Sequence, residues 1–169
     1  ANLLHARGHE VYGLIRRTNG MESDIRDVVP DDVYEDITFL YGELTNYRSL
    51  VTIFKDTQFD GVFHLAAQSH PPTSFRDPIG TMDTNVMGSA NLFQVIQDFQ
   101  DNCKVMFCST SEVYGNVGSD GRKIRWDDTI LPSNPYGASK AATDVYLQER
   151  FANGFMKGFI TRAFSHTGP

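Results

Sequence analysis

Ser109-Thr110-Ser111-Glu112-Val113-Tyr114-Gly115 follows the apolar run Lys104-Val105-Met106-Phe107-Cys108. A run apolar on both faces that ends in small polar residues predicts a buried parallel strand opening into a turn. A second stretch, Tyr136-Gly137-Ala138-Ser139-Lys140, stands behind Pro135 and opens a helical run over Pro135 to Phe151. Proline suits the first turn of a helix, where its missing N–H costs nothing. Asn116 to Asn134, between the two, is polar, contains Gly118, Gly121 and Pro132, and reads as a loop.

The same alternation extends upstream. Ala1 to Arg7 read as the last turns of a helix, stopped by Gly8 at C′. Strands are expected at Glu10 to Ile15, Ile37 to Tyr41 and Gly61 to Ala67, and downstream at Gly158 to Arg162. A helix is expected at Tyr47 to Asp56, with Asn46 as its cap and Leu50, Ile53 and Phe54 on one face. Pro71, Pro72 and Pro78 mark a loop, and Thr81 to Gln100 reads as one long helix. Strands alternating with helices imply a doubly wound parallel α/β sheet, which binds ligands beyond the carboxyl ends of its strands. Polar residues gather at those ends.

A chain of 169 residues fits one domain. Its net charge of −6 argues against nucleic-acid or membrane-surface partners. No apolar run is long enough to span a bilayer, and the first residues do not read as a signal peptide. Cys103 and Cys108 lack metal-ligand spacing and read as reduced thiols, which points to the cytoplasm.

Tyr136 and Lys140 are four residues apart, so they share a helix face. A free phenol has a pKa of about 10, and a nearby ammonium favours the phenolate. Such a pair can take a proton from a hydroxyl as hydride leaves the same carbon, and the lysine can also bind a cofactor ribose. Alone, Tyr-x-x-x-Lys is common on ordinary helices. Its place behind Thr110 and Glu112 makes it informative. Thr110 can align the hydroxyl or cap its own turn. Glu112 can serve as a base toward a carbon acid or as an acid toward a leaving hydroxyl, or it can simply favour a helix dipole. Ser111 can donate to substrate or form a turn. Arg16 and Arg17 end the first strand, where NAD-binding sheets usually carry an acidic residue; a guanidinium there can fork onto a 2′-phosphate, favouring NADP over NAD.

Thr110-Ser111-Glu112-Val113-Tyr114-Gly115 followed by Pro135-Tyr136-Gly137-Ala138-Ser139-Lys140 resembles the extended short-chain dehydrogenase/reductase family of nucleotide-sugar enzymes. His64-Leu65-Ala66-Ala67-Gln68-Ser69 and Thr84-Asn85-Val86-Met87-Gly88 are similar to the same family. Within it the chain most resembles the GDP-mannose 4,6-dehydratases. The resemblance implies that Tyr136 takes the O4 proton while hydride passes from C4 to NADP+, and that Thr110 holds O4. It implies that Glu112 removes the C5 proton and assists loss of water from C6, after which hydride returns to C6. Lys140 would tune Tyr136 and bind the nicotinamide ribose. Cofactor contacts are implied for Glu43, Leu44, Leu65, Ala66, Ala67, Gln68, Ser69, Ser109 and His166, and substrate contacts for Ser111, Asn85 and Ser165. Ser165 stands where the dehydratases have asparagine.

The resemblance also implies that residues 1–169 form part of a dinucleotide-binding domain. The glycine-rich turn and first strand are then expected before Ala1, and a substrate-binding portion after Pro169. A homo-oligomer packing through the helices at Thr81 to Gln100 and Pro135 to Phe151 is implied as well. An epimerase, a 4-keto-sugar reductase or a UDP-glucuronate decarboxylase shares the scaffold. Epimerases and reductases need Tyr136 and Lys140 but not Glu112. A non-catalytic nucleotide-binding protein need not retain all four of Thr110, Glu112, Tyr136 and Lys140.

Overall fold

The computed structural model describes residues 1–16 and 25–165; Arg17 and His166 lie outside them. In chain order the elements are α1 (Asn2–His5), β1 (Tyr12–Ile15), α2 (Asp31–Asp36), β2 (Thr38–Tyr41), α3 (Tyr47–Asp56), β3 (Gly61–His64), α4 (Pro71–Arg76), α5 (Pro78–Met82), a π turn (Asp83–Met87), α6 (Gly88–Phe99), β4 (Lys104–Cys108), a 3-10 turn (Ser111–Tyr114), α7 (Pro135–Ala152) and β5 (Lys157–Thr161).

Local chemistry sets the boundaries. The Gly8 N–H bonds the His5 carbonyl and the His9 N–H bonds that of Leu4, with Gly8 at φ 77°, the closing geometry expected of a C′ glycine. The Asn46 side chain accepts from the Ser49 N–H and starts α3, which buries Leu50 and Phe54. Pro71, Pro72 and Pro78 do not form a loop. Pro71 and Pro78 instead occupy the first positions of two short helices, the second capped by Asp77 onto the Gly80 N–H. The long helix expected from Thr81 is interrupted by the π turn.

All pairing is parallel. One sheet has the order β1-β2 and the other β3-β4-β5, where a single sheet was expected. The break falls between β1 and β3. Tyr12 meets Phe59 edge-on there, with ring centroids 5.3 Å apart. The register aligns Phe63, Met106 and Phe159 on one face of the second sheet. On the other face Val105 and Phe107 are buried under α6 and α7. That core joins Leu50 and Phe54 of α3, Leu92, Phe93, Val95 and Ile96 of α6, and Leu147 of α7. Each such side chain contributes roughly 1.5–3 kcal/mol on burial. A smaller cluster of Val113, Tyr114 and Ala141, with Val117, Ile124 and Ile130 against it, anchors the 116–134 loop.

His64 ends β3 inside this core, 2 % exposed and ringed by Phe93 and Phe107. Its Nε2 lies 2.8 Å from the Ser89 hydroxyl, which donates to the Asn85 carbonyl at 2.5 Å. With that hydroxyl proton spent, Nε2 carries the hydrogen and donates. Burial, then the charge of Lys140, pulls the imidazole down to about 3. Because the folded value lies below the unfolded one of about 6.5, the contribution is complete above pH 6.5 and lost as pH falls toward 3. Urea unfolding at pH 6 and pH 5 is expected to show stability falling by up to about 1 kcal/mol. A His64→Asn variant, less stable at both, is expected to have a flatter slope; an equal slope would contradict the assignment.

Candidate active site

Thr110 leaves β4 in extended backbone and caps the 3-10 turn, its hydroxyl accepting from the Glu112 N–H at 3.3 Å. The turn sets Glu112, half-buried, against the start of α7. Asn134 joins the two. Its Oδ1 accepts from the Gly137 N–H at 2.7 Å and caps α7, while its Nδ2 donates to Glu112 Oε2 at 2.7 Å. Gly137 is required at this contact, because a Cβ there would sit 2.7 Å from the Glu112 carbonyl oxygen. Gly115, at φ 54°, ends the turn where a Cβ would strike the Leu131 carbonyl oxygen. The Leu131 N–H returns the loop to the Val113 carbonyl at 2.9 Å.

Tyr136 is half-buried, and its N–H donates to the buried Ser74 hydroxyl on α4 at 3.1 Å. Burial raises its phenol above 10; a hydrogen bond with Thr110 opposes this, and Cys108 and Glu112 add to it. The expectation that Lys140 lowers this phenol is not met. Lys140 is 3 % exposed and turns its Nζ over the Phe107 ring, 4.3 Å from the centroid. Burial pulls it down to about 8, against the upward pull of Cys108 and Asp144. Among the described residues its ammonium makes no hydrogen bond or ion pair. A cationic donor at the end of a buried side chain, without a protein acceptor, suits a ligand oxygen.

The remaining positions divide. Leu65 (66 % exposed), Ala66 and Ser69 lie open beyond β3, with Ala67 and Gln68 half-buried beside them. Arg16 is exposed immediately past β1. Glu43 is half-buried past β2, its backbone N–H bonded to the Ser49 hydroxyl. Ser111 is half-buried, its N–H on the Ala163 carbonyl, and Ser165 is exposed. All stand at the carboxyl ends of strands, as the fold requires of a ligand site.

Three expected contacts have other duties. Leu44 is a core residue whose carbonyl accepts from Asn91 and whose Cβ is tight against Gly88. The Ser109 hydroxyl is buried near the Asp144 carboxylate without a well-formed hydrogen bond. Asn85, 2 % exposed, accepts from the Gln68 N–H (2.7 Å) and donates to the Gln68 carbonyl (3.0 Å) and the Ser139 hydroxyl (2.8 Å). Its own carbonyl accepts from Ser89 and Thr143. Asn85 therefore ties the strand-end segment at Gln68 to the helix of Tyr136 and Lys140.

Sequence reasoning missed Asn134 and Ser74. An asparagine directly before the proline of a helix is a cap signal that could have found the first; nothing local signals the second. The quartet Thr110, Glu112, Tyr136 and Lys140 supplies a hydroxyl, a carboxylate, a phenol and an amine, groups able to move protons at a bound ligand.

The sequence model of the family described as GDP-mannose 4,6 dehydratase matches residues 1–169. A protein named GDP-mannose 4,6-dehydratase sdnI, from Sordaria araneosa, is 33 % identical over 99 % of this chain, which spans 30 % of that relative. The UDP-glucose 4-epimerase of Thermus thermophilus, solved with NAD, superposes with a TM-score of 0.81 at 28 % identity, over 95 % of this chain and 49 % of its own. The RMD protein of Pseudomonas aeruginosa, solved with NADPH, gives 0.69 at 26 %, over 92 % and 54 %. With its whole length inside that family model and its strands, turn and capped helix on this parallel scaffold, the chain belongs to the GDP-mannose 4,6-dehydratase family of the extended short-chain dehydrogenases/reductases.

Proposed function

We propose that residues 1–169 are part of the dinucleotide-binding domain of a nucleotide-sugar 4,6-dehydratase, a lyase acting on GDP-mannose to give GDP-4-keto-6-deoxymannose. The observation that carries this is the Glu112 carboxylate, held by Asn134 at the head of the helix bearing Tyr136 and Lys140. Epimerisation and keto-sugar reduction need the phenol and lysine but not that carboxylate. An epimerase is the second reading, favoured by the likeness to the Thermus enzyme.

The cofactor is a nicotinamide dinucleotide, for which the Lys140 ammonium, without a protein acceptor, fits a ribose hydroxyl. Solved neighbours carry NAD or NADPH. NADP is preferred because Arg16 is exposed past β1, where a guanidinium meets a 2′-phosphate. Leu65, Ala66, Ser69 and the Gln68 segment line its path. When bound, it supplies an acceptor for the C4 hydride and returns that hydride to C6.

The chain's residues move the protons. In its phenolate form Tyr136 accepts the O4 proton while the Thr110 hydroxyl holds O4. With C4 a ketone, the C5 proton is acidic and Glu112 removes it. Glu112 then gives that proton to the C6 hydroxyl, which leaves as water when the C6–O bond breaks, and the O4 proton held by Tyr136 passes to C5 as hydride reaches C6. Exposed Ile79, Met87 and Val145 on α5, the π turn and α7 fit packing against a second copy. The two free thiols fit a reducing, cytoplasmic setting. No helix among the described residues is long and apolar enough to cross a membrane.

Three expectations follow for the full-length protein. Glu112→Gln, given GDP-mannose and NADP+, is expected to accumulate NADPH and lose water about 10²–10⁴-fold more slowly. Tyr136→Phe is expected to form no NADPH; unchanged water loss in Glu112→Gln would remove Glu112 from the chemistry. Because Lys140 sits near 8, NADPH affinity is expected to weaken as pH rises through that value. A Lys140→Met variant should bind weakly without that step, and a step retained in it would assign the titration elsewhere.

A further inference from the structure

The Arg162 guanidinium, one residue past β5, engages three separate segments. Nε and Nη2 fork onto the Asp144 carboxylate of α7 at 2.8 and 2.9 Å. Nη1 donates to the Tyr114 hydroxyl at 2.9 Å and to the Trp126 carbonyl of the loop at 2.8 Å. The Tyr114 hydroxyl donates to the same carbonyl at 3.2 Å. Asp144 is fully buried, and Gln148 adds a further donor to it at 2.6 Å. Burial alone would raise that carboxyl, but the bonds from Arg162 and Gln148 and the interaction with Ser109 hold it below the usual range.

The position of this cluster is the point. Tyr114 lies two residues past Glu112, in the same 3-10 turn. Asp144 lies one helical turn beyond Lys140 and two beyond Tyr136, on their face. Asn134 closes the circuit at the other end by bonding both Glu112 and the first turn of α7. A ring of contacts therefore runs from Arg162 through Tyr114, Glu112, Asn134, Tyr136 and Asp144 back to Arg162. The Asn134 link spans 22 residues to Glu112, and the Arg162 link spans 18 residues to Asp144 and 48 to Tyr114. We propose that Arg162, through Asp144 and Tyr114, is the positioning residue that fixes the Glu112 turn against the Tyr136–Lys140 helix, so that the base for C5 is aligned with the base for O4. This rests on the dehydratase reading. A lysine cannot replace the arginine, because one ammonium cannot fork a carboxylate and also reach two oxygens on other segments.

The test uses full-length protein with Arg162→Lys, which keeps the charge, and Tyr114→Phe, which removes one hydroxyl and is the milder change. NADPH affinity is expected to stay within about twofold of wild type. In both variants kcat for water loss is expected to fall, about 10-fold or more in Arg162→Lys, with KM nearly unchanged. NADPH should accumulate during turnover, because oxidation at C4 outruns elimination. A second readout needs no turnover. Trp126 is the only tryptophan of residues 1–169, so its fluorescence anisotropy, read as the difference from a Trp126→Phe counterpart of each protein, reports the loop that Arg162 holds, and faster decay is expected in both variants. Wild-type kcat with no NADPH accumulation in the folded variants overturns the proposal, as does a fall expressed only in KM. A wild type that loses no water overturns the dehydratase reading instead; unchanged Trp126 anisotropy in both variants would then overturn the positioning link on its own.

Discussion

The structure depends on one close contact, the approach of the α7 amino terminus to the backbone of Glu112. The approach is possible because residue 137 has no side chain, and it is locked because Asn134 bonds both partners. It brings the carboxylate of the turn after β4 and the phenol and amine of the helix that follows to the same strand end. Without it the two stretches would be a turn and a helix with no shared chemistry. The same asparagine ends the 116–134 loop, so the loop returns to the turn it left, pinned there by Leu131 on Val113.

Around that contact the interior is held by polar side chains at places where apolar packing would be too permissive. The buried His64, Ser89 and Asn85 form a chain of hydrogen bonds from the end of β3 to α7. Buried polar groups of this kind stabilise only when each is paired, and they then define a unique geometry. Here the geometry defined is that between the Gln68 segment and the helix of Lys140. The π turn Asp83–Met87 fits the same account: it includes Asn85, and extra turns of this type inside helices commonly sit at functional sites. The buried pair of Arg162 and Asp144 works at the opposite end of the site. The desolvation cost of such a pair argues that its value lies in position rather than in stability.

What was legible in the sequence was local. The run at Lys104–Cys108, the turn after it, the proline opening α7 and the Asn46 cap each declare themselves within a few residues, and the structure has them. The parallel α/β class followed from their alternation. Pro71 and Pro78 were misread because proline breaks a helix only in its interior and starts one at its first position. The protein partners of Asn85 and Ser109 were illegible for a different reason. Their polar side chains look available in sequence, and only the fold shows partners as far as 54 residues away or burial beside Asp144. The state of Tyr136 was illegible for the same cause. Helical spacing places an ammonium nearby, but burial, and the turn of Lys140 toward Phe107, decide which way the phenol moves.

The central claim is that Glu112 makes this scaffold a dehydratase. The most direct measurement is to incubate the full-length protein with GDP-mannose and NADP+ and read the nucleotide sugar by mass spectrometry. The account predicts loss of one water with no net accumulation of NADPH. A sugar of unchanged mass would contradict it and favour the epimerase reading.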